Sequence, residues 1–202
     1  MELAPHIAVS MIIEMILDGC LEVVDKIKTK WEMVNKVYIK LNDKLPSTEY
    51  NRELYKIIEE INKPEITISQ IIEIVCYSFS DKKYMTITRA LKEKMINDKL
   101  ISLKNKKGIF REREIIVLNE EAFNNTIRSI RVEFLEKGNF TDEFILLVSL
   151  LNSTNFLKSI FIKYEKETLK KRLKEIKETE ISKQVSIARE LIDAINTVIL
   201  VD

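Results

Sequence analysis

The sequence predicts a mainly α protein: residues 1–202 as a single-domain helical bundle with one or two peripheral β-hairpins. Three observations carry that expectation. Glycine and proline number three each in 202 residues, too few for the many tight turns of a large β-sandwich. Apolar residues recur at three- and four-residue spacing along most of the chain. Only two regions, near residues 21–41 and 100–118, read as short paired strands.

Residues 3–17 place Leu3, Ile7, Met11, Ile12, Met15 and Ile16 on one helical stripe, and Asp18-Gly19 supplies the stop. Leu21 to Val24 and Val34 to Leu41 read as strands, the second alternating through Val37, Ile39 and Leu41. Glu49 to Ile61 is helical until Lys63-Pro64 breaks it. Thr67-x-x-Gln70 has capping-box form and opens a helix whose buried stripe is Ile68, Ile71, Ile72 and Val75. Thr86 to Asp98 is the next helix, with Ile87, Leu91 and Met95 inward. Leu100 to Leu103 and Ile109 to Leu118 flank Asn105-Lys106-Lys107-Gly108 as a hairpin with a longer loop.

Asn119 caps a helix running to Leu135, and Thr141-Asp142-Glu143 starts the most apolar helix, 142–151, which belongs in the core. After a joint at Asn152 to Asn155 the chain returns through 156–162. A charged helix over 165–178 and an apolar-striped one over 182–201 complete the chain. Trp31 is expected to pack at a strand edge.

Catalysis finds little support in the residues. His6 is the lone histidine, and the three glycines are isolated, so neither a histidine-based triad nor a phosphate loop is available. Cys20 and Cys76 have no metal-ligand spacing and read as small buried hydrophobes, which suits a reducing cytosol. No catalytic residue, metal ligand or cofactor is expected, and the chain is read as a non-enzyme. The longest near-continuous apolar run, Phe144 to Leu151, is far short of the roughly twenty residues that span a bilayer.

Charge is more informative. The formal net charge is +1, yet Lys82 to Arg113 holds eleven Lys and Arg against three acids. Lys82 and Lys83 precede the 86–98 helix, Arg89 and Lys92 share its outer face, and Lys106 and Lys107 crown the hairpin. Such segregation points to an anionic surface: lipid headgroups, nucleic acid or an acidic protein. A helix followed by a basic hairpin also fits a winged-helix-like nucleic-acid binder using residues 86–113. Arg89 is its one strong base reader there, with Glu93 and Asp98 alongside.

The order of motifs resembles the Golgi phosphoprotein 3 family, the 34-kDa Golgi phosphoprotein domain. Ile12 to Gly19 followed by Leu21-Glu22-Val23 is similar to its leucine-rich helix ending in a charged residue and Gly. Leu91 to Ile101 is similar to its helix leading into a hairpin, and Asp142 to Phe161 to its apolar helix pair. Lys170 to Ile176 and the closing apolar helix follow in the family's order. The resemblance is to a bacterial-type member without the usual N-terminal segment. It implies a helical, non-enzymatic, cytoplasmic protein recruited to membranes by phosphatidylinositol 4-phosphate, with a hairpin that mediates self-association. The family's headgroup arginines fall near Ala8, Met85 and Thr88, and its Trp falls in the missing segment. The expected anionic-lipid set is therefore Lys82, Lys83, Arg89 and Lys92, and the expected oligomerisation set is Ile109, Phe110, Ile115 and Val117.

Overall fold

Helix α1 (Ala4–Leu17) is apolar on nearly every side, and the fold closes around it. Val9, Ile12 and Met15 have no exposed surface. A helix of this kind has no side to offer water, so several elements must cover it. The fold comes from a computed structural model that describes residues 4–24, 37–77, 82–107, 112–136, 138–178 and 192. α1 ends as Asp18-Gly19 predicts: Gly19 turns left-handed at φ +73°, and the Cys20 N–H donates to Met15 O at 2.8 Å.

Strands β1 (Leu21–Val24), β2 (Tyr38–Leu41) and β3 (Ile66–Thr67) form an antiparallel sheet in that order. Its register sets Leu21 against Leu41 and Ile39 against Ile66, all but Leu41 fully buried. Residues 34–36 of the expected second strand lie outside the described residues, as does Trp31. β3 was not expected, because two residues carry no alternation to read.

Between β2 and β3, α2 (Glu49–Glu60) buries Leu54, Ile57 and Ile58. It is tied to α1 by the Tyr50 hydroxyl, which donates to the Glu14 carboxylate at 2.9 Å. The capping box forms as read: Thr67 Oγ1 accepts from Gln70 N–H and Gln70 Oε1 from Thr67 N–H, both at 3.2 Å, starting α3 (Ile68–Cys76). α4 (Lys82–Asn97) packs on α2 and α3 and leads into the hairpin of β4 (Ile101–Lys107) and β5 (Glu112–Leu118). Next come α5 (Glu120–Leu135), α6 (Asp142–Ser153), α7 (Phe156–Ile160), a 3-10 turn (Lys163–Glu165) and α8 (Lys166–Glu178). Eight helices and two small antiparallel sheets among the described residues make the fold mainly α with peripheral hairpins, as expected. Of the expected 182–201 helix only Ile192 is described, and it joins the buried cluster.

In the second half the core is aromatic. Phe134 lies edge-on to Phe161 at 5.3 Å, and Phe140 stacks on Phe144 at 5.5 Å. Arg172 of α8 lies over the Phe140 ring at 3.9 Å, and its guanidinium donates to the carbonyls of Phe134, Glu136 and Gly138 at 3.0–3.2 Å. Carbonyls at the end of α5 lack partners within the helix, so one planar fork closes the helix end and joins α5 to α8. Replacing it by Lys keeps the charge but not the fork. We predict that R172A lowers unfolding stability in urea by about 2–4 kcal/mol and that R172K recovers less than half. A loss within error of zero for R172A contradicts this role.

Candidate functional site

The basic segment becomes α4 and the hairpin, with two differences from the sequence expectation. α4 begins at Lys82, a turn early, so Lys82 and Lys83 are its first residues rather than a lead-in. β4 runs through Lys107, so Asn105, Lys106 and Lys107 belong to a strand and not to the loop. Extended pairing over seven positions outweighs the turn signal of Asn-Lys-Lys-Gly.

α4 buries Ile87 and Ala90 against its neighbours. It ends with Lys99 left-handed at φ 59°, and Leu100 N–H donates to Met95 O at 2.9 Å. This is the same stop as at Gly19, taken by a residue with a side chain. Asn119 then clasps the hairpin's base. Its Nδ2 donates to Lys99 O at 2.8 Å, its backbone N–H donates to Leu100 O at 2.9 Å, and its Oδ1 accepts from Ala122 N–H at 3.2 Å to cap α5. One residue thus joins the end of α4, the base of the hairpin and the start of α5.

Register sorts the hairpin's side chains. Leu103 pairs with Ile116 and Asn105 with Glu114, and with Ile101 and Leu118 these residues form one face. Ile101 on that face is buried, and Glu114 accepts from Lys92 Nζ of α4 at 2.5 Å, so that face meets α4 at these two points while Leu103, Ile116 and Leu118 stay exposed. The other pairs are Ser102 with Val117, Lys104 with Ile115 and Lys106 with Arg113. This outer face gathers three exposed cations and two β-branched residues without an acid.

The four expected lipid-binding cations separate into two pairs. Lys83 meets Glu60 of α2 at 3.3 Å, and Lys92 is held by Glu114. Such half-exposed pairs add no more than about 1 kcal/mol to stability, but the acid cancels most of the cation's field. Lys82 and Arg89 are exposed and have no acidic partner among the described residues. Lys104, Lys106 and Arg113, absent from the expected set, are the denser cluster. Strand alternation from Ser102 to Lys106 could have found them, had the strand been read to its full length. Of the expected oligomerisation residues, Ile109 and Phe110 lie outside the described residues. Ile115 is exposed and Val117 half-buried, both on the outer face.

Other chemistry is sparse. Among the described residues no group of three or more His, Cys, Asp and Glu is placed to hold a metal. No helix among them is long and apolar enough to cross a membrane. Burial raises the pKa of both thiols, that of Cys76 to about 11, so each sulfur is protonated at neutral pH and a poor nucleophile. The chain matches no family model, and no curated protein matches it.

Two outcomes follow from this geometry. N119A, losing cap and clasp together, is expected to cost about 2 kcal/mol in urea unfolding, and N119D, which keeps the acceptor, about 1. Equal losses for the two variants refute the clasp. Burial lifts the Cys76 thiol from the ordinary 9.0 to about 11 in the folded chain, so its contribution to stability is present below pH 9 and fades between 9 and about 11. Its alkylation rate is therefore expected to climb steadily through pH 9, and a plateau there contradicts the burial.

Proposed function

We propose that the protein is a non-enzymatic peripheral membrane adaptor at the cytoplasmic face, holding anionic phospholipid against the outer face of the hairpin. One observation carries the reading: Lys104, Lys106 and Arg113 stand together with Ile115 and Val117, and no acid shares the face. Near an anionic leaflet each cation contributes about 1 kcal/mol, so three strengthen binding roughly a hundredfold. Lys82 and Arg89 extend the positive surface along α4. The branched apolar residues gain nothing from phosphates in water but gain by entering the interfacial layer of a leaflet. Ala8, Met85 and Thr88 supply no cation, so phosphatidylinositol 4-phosphate binds as one anionic headgroup among several, by charge.

The hairpin also supports a homo-oligomer. Its two outer edges have no strand partner among the described residues. Lysines at such an edge oppose pairing with a second copy until an anionic surface neutralises them.

A second reading has its own support. The order α2, β3, α3, α4, then hairpin follows that of a winged helix and supports the nucleic-acid alternative over residues 86–113, although β3 pairs with β2 and not with the hairpin. Against it, Glu93 shares the exposed side of α4 with Arg89, where phosphates would lie.

Sedimentation with vesicles across a salt series, beside a gel shift on random duplex DNA, separates the readings. We expect salt-sensitive binding to vesicles containing phosphatidylserine or phosphatidylinositol 4-phosphate. K104Q/K106Q/R113Q should weaken it about a hundredfold, and K83Q/K92Q by less than about threefold. Full binding by the hairpin triple variant overturns the assignment, and a DNA shift without vesicle binding favours the winged helix.

A further inference from the structure

A second surface combines exposed apolar side chains with lysine, at the corner where α7 meets α8. Tyr164 in the 3-10 turn is 90% exposed, Ile162 just before it 54%, and Phe156 at the start of α7 37%. An aromatic ring nine-tenths exposed stands clear of its own protein and rests in no groove. Other large apolar residues are exposed too, Leu45 at 68% among them, but Tyr164 is the most exposed of those described, and it stands two residues from Ile162 in a lysine-rich turn.

The charges around them are arranged. Between Phe156 and Lys174 the sequence holds seven Lys and Arg against two acids, Glu165 and Glu167. Glu165, beside Tyr164, is turned inward: one oxygen accepts from Arg131 of α5 at 2.5 Å and the other from Ile162 N–H at 3.0 Å. The Arg131 hydrogen bond foremost holds its carboxyl below the ordinary range. Lys158, Lys163 and Lys166 are exposed, and none has an acidic partner among the described residues. The turn thus hides Glu165, and around Tyr164 and Ile162 the exposed Lys158, Lys163 and Lys166 outnumber the one exposed acid, Glu167 of α8.

We propose that this corner is a second membrane anchor, in which Tyr164 and Ile162 enter the interfacial layer of an anionic bilayer while Lys158, Lys163 and Lys166 meet its headgroups. The shape selects the partner. A projecting tip needs a matching pocket on a protein, whereas a fluid leaflet accepts it anywhere. Tyrosine is suited to that depth, with its ring among acyl carbons and its hydroxyl among headgroups. Arg131, the residue that holds Glu165, lies twelve positions along α5 from Asn119, about 18 Å of helix from the hairpin's base. Two anchors that far apart orient a protein on a surface, which one patch of lysines cannot do. The corner shares a bilayer with the hairpin reading but none of its residues.

The test uses the full chain and vesicles of phosphatidylcholine with or without phosphatidylserine. Y164S/I162S should keep the parent's melting temperature, since both side chains are exposed, yet bind anionic vesicles about tenfold more weakly. In Y164W, brominated acyl chains should quench fluorescence beyond the level seen for the parent, whose Trp31 sets the baseline. Parent-like affinity in Y164S/I162S, or no added quenching in Y164W, overturns the anchor. So does Tyr164-dependent binding to soluble polyglutamate without vesicle contact. If K104Q/K106Q/R113Q binds fully while Y164S/I162S does not, the hairpin reading fails and the corner stands; the reverse result fails the corner alone.

Discussion

The need to bury α1 on all sides organises this molecule. Met11, Ile12, Ile13, Met15 and Ile16 cover the full turn of the helix, so the sheet, α2 and α3 each direct an apolar face at it. Removing a single fully enclosed isoleucine from such a site costs about 2–5 kcal/mol, comparable with much of a domain's net stability. The constraint also decides where function can sit. Elements committed to enclosing α1 turn mostly polar side chains outward, as Arg52, Lys56 and Glu59 of α2 do, and the two surfaces that combine cations with exposed apolar residues lie on the hairpin and at the α7–α8 corner.

A two-stranded hairpin is marginal by itself, and here it rests on few supports. Ile101 is buried, Asn119 closes the base, and Lys92 to Glu114 links it to α4. That ion pair adds little to stability, yet it marks which face is inward. Once Glu114 is drawn to α4, the period of two sends Lys104, Lys106 and Arg113 to the other side. A segment whose overall charge was already conspicuous thereby becomes a surface of one sign.

Much of the fold was legible because its signals are local. Gly19, the Thr67–Gln70 box and the Asn119 and Thr141 caps each act within four residues, and each forms as read. In the first turn of α4, Lys82 to Met85, only Tyr84 is in step with Ile87 and Leu91, a signal too short to place the helix start from spacing alone. The site was harder to read for a different reason. Glu60 and Glu114 lie more than twenty residues from Lys83 and Lys92, and pairings at that distance leave no trace in spacing. The Arg172 fork and the inward turn of Glu165 are of the same kind, since both depend on which helices meet.

The hairpin's outer face is proposed to lie on an anionic membrane. Ser102 is exposed on that face, and burial holds Cys20 and Cys76 as protonated thiols, so S102C can be labelled selectively with an environment-sensitive dye at neutral pH. A blue shift on adding vesicles that contain phosphatidylserine, absent with phosphatidylcholine alone and reversed by salt, is the result the account predicts. An unchanged spectrum under conditions where the protein sediments with those vesicles would place the membrane against another surface and contradict it.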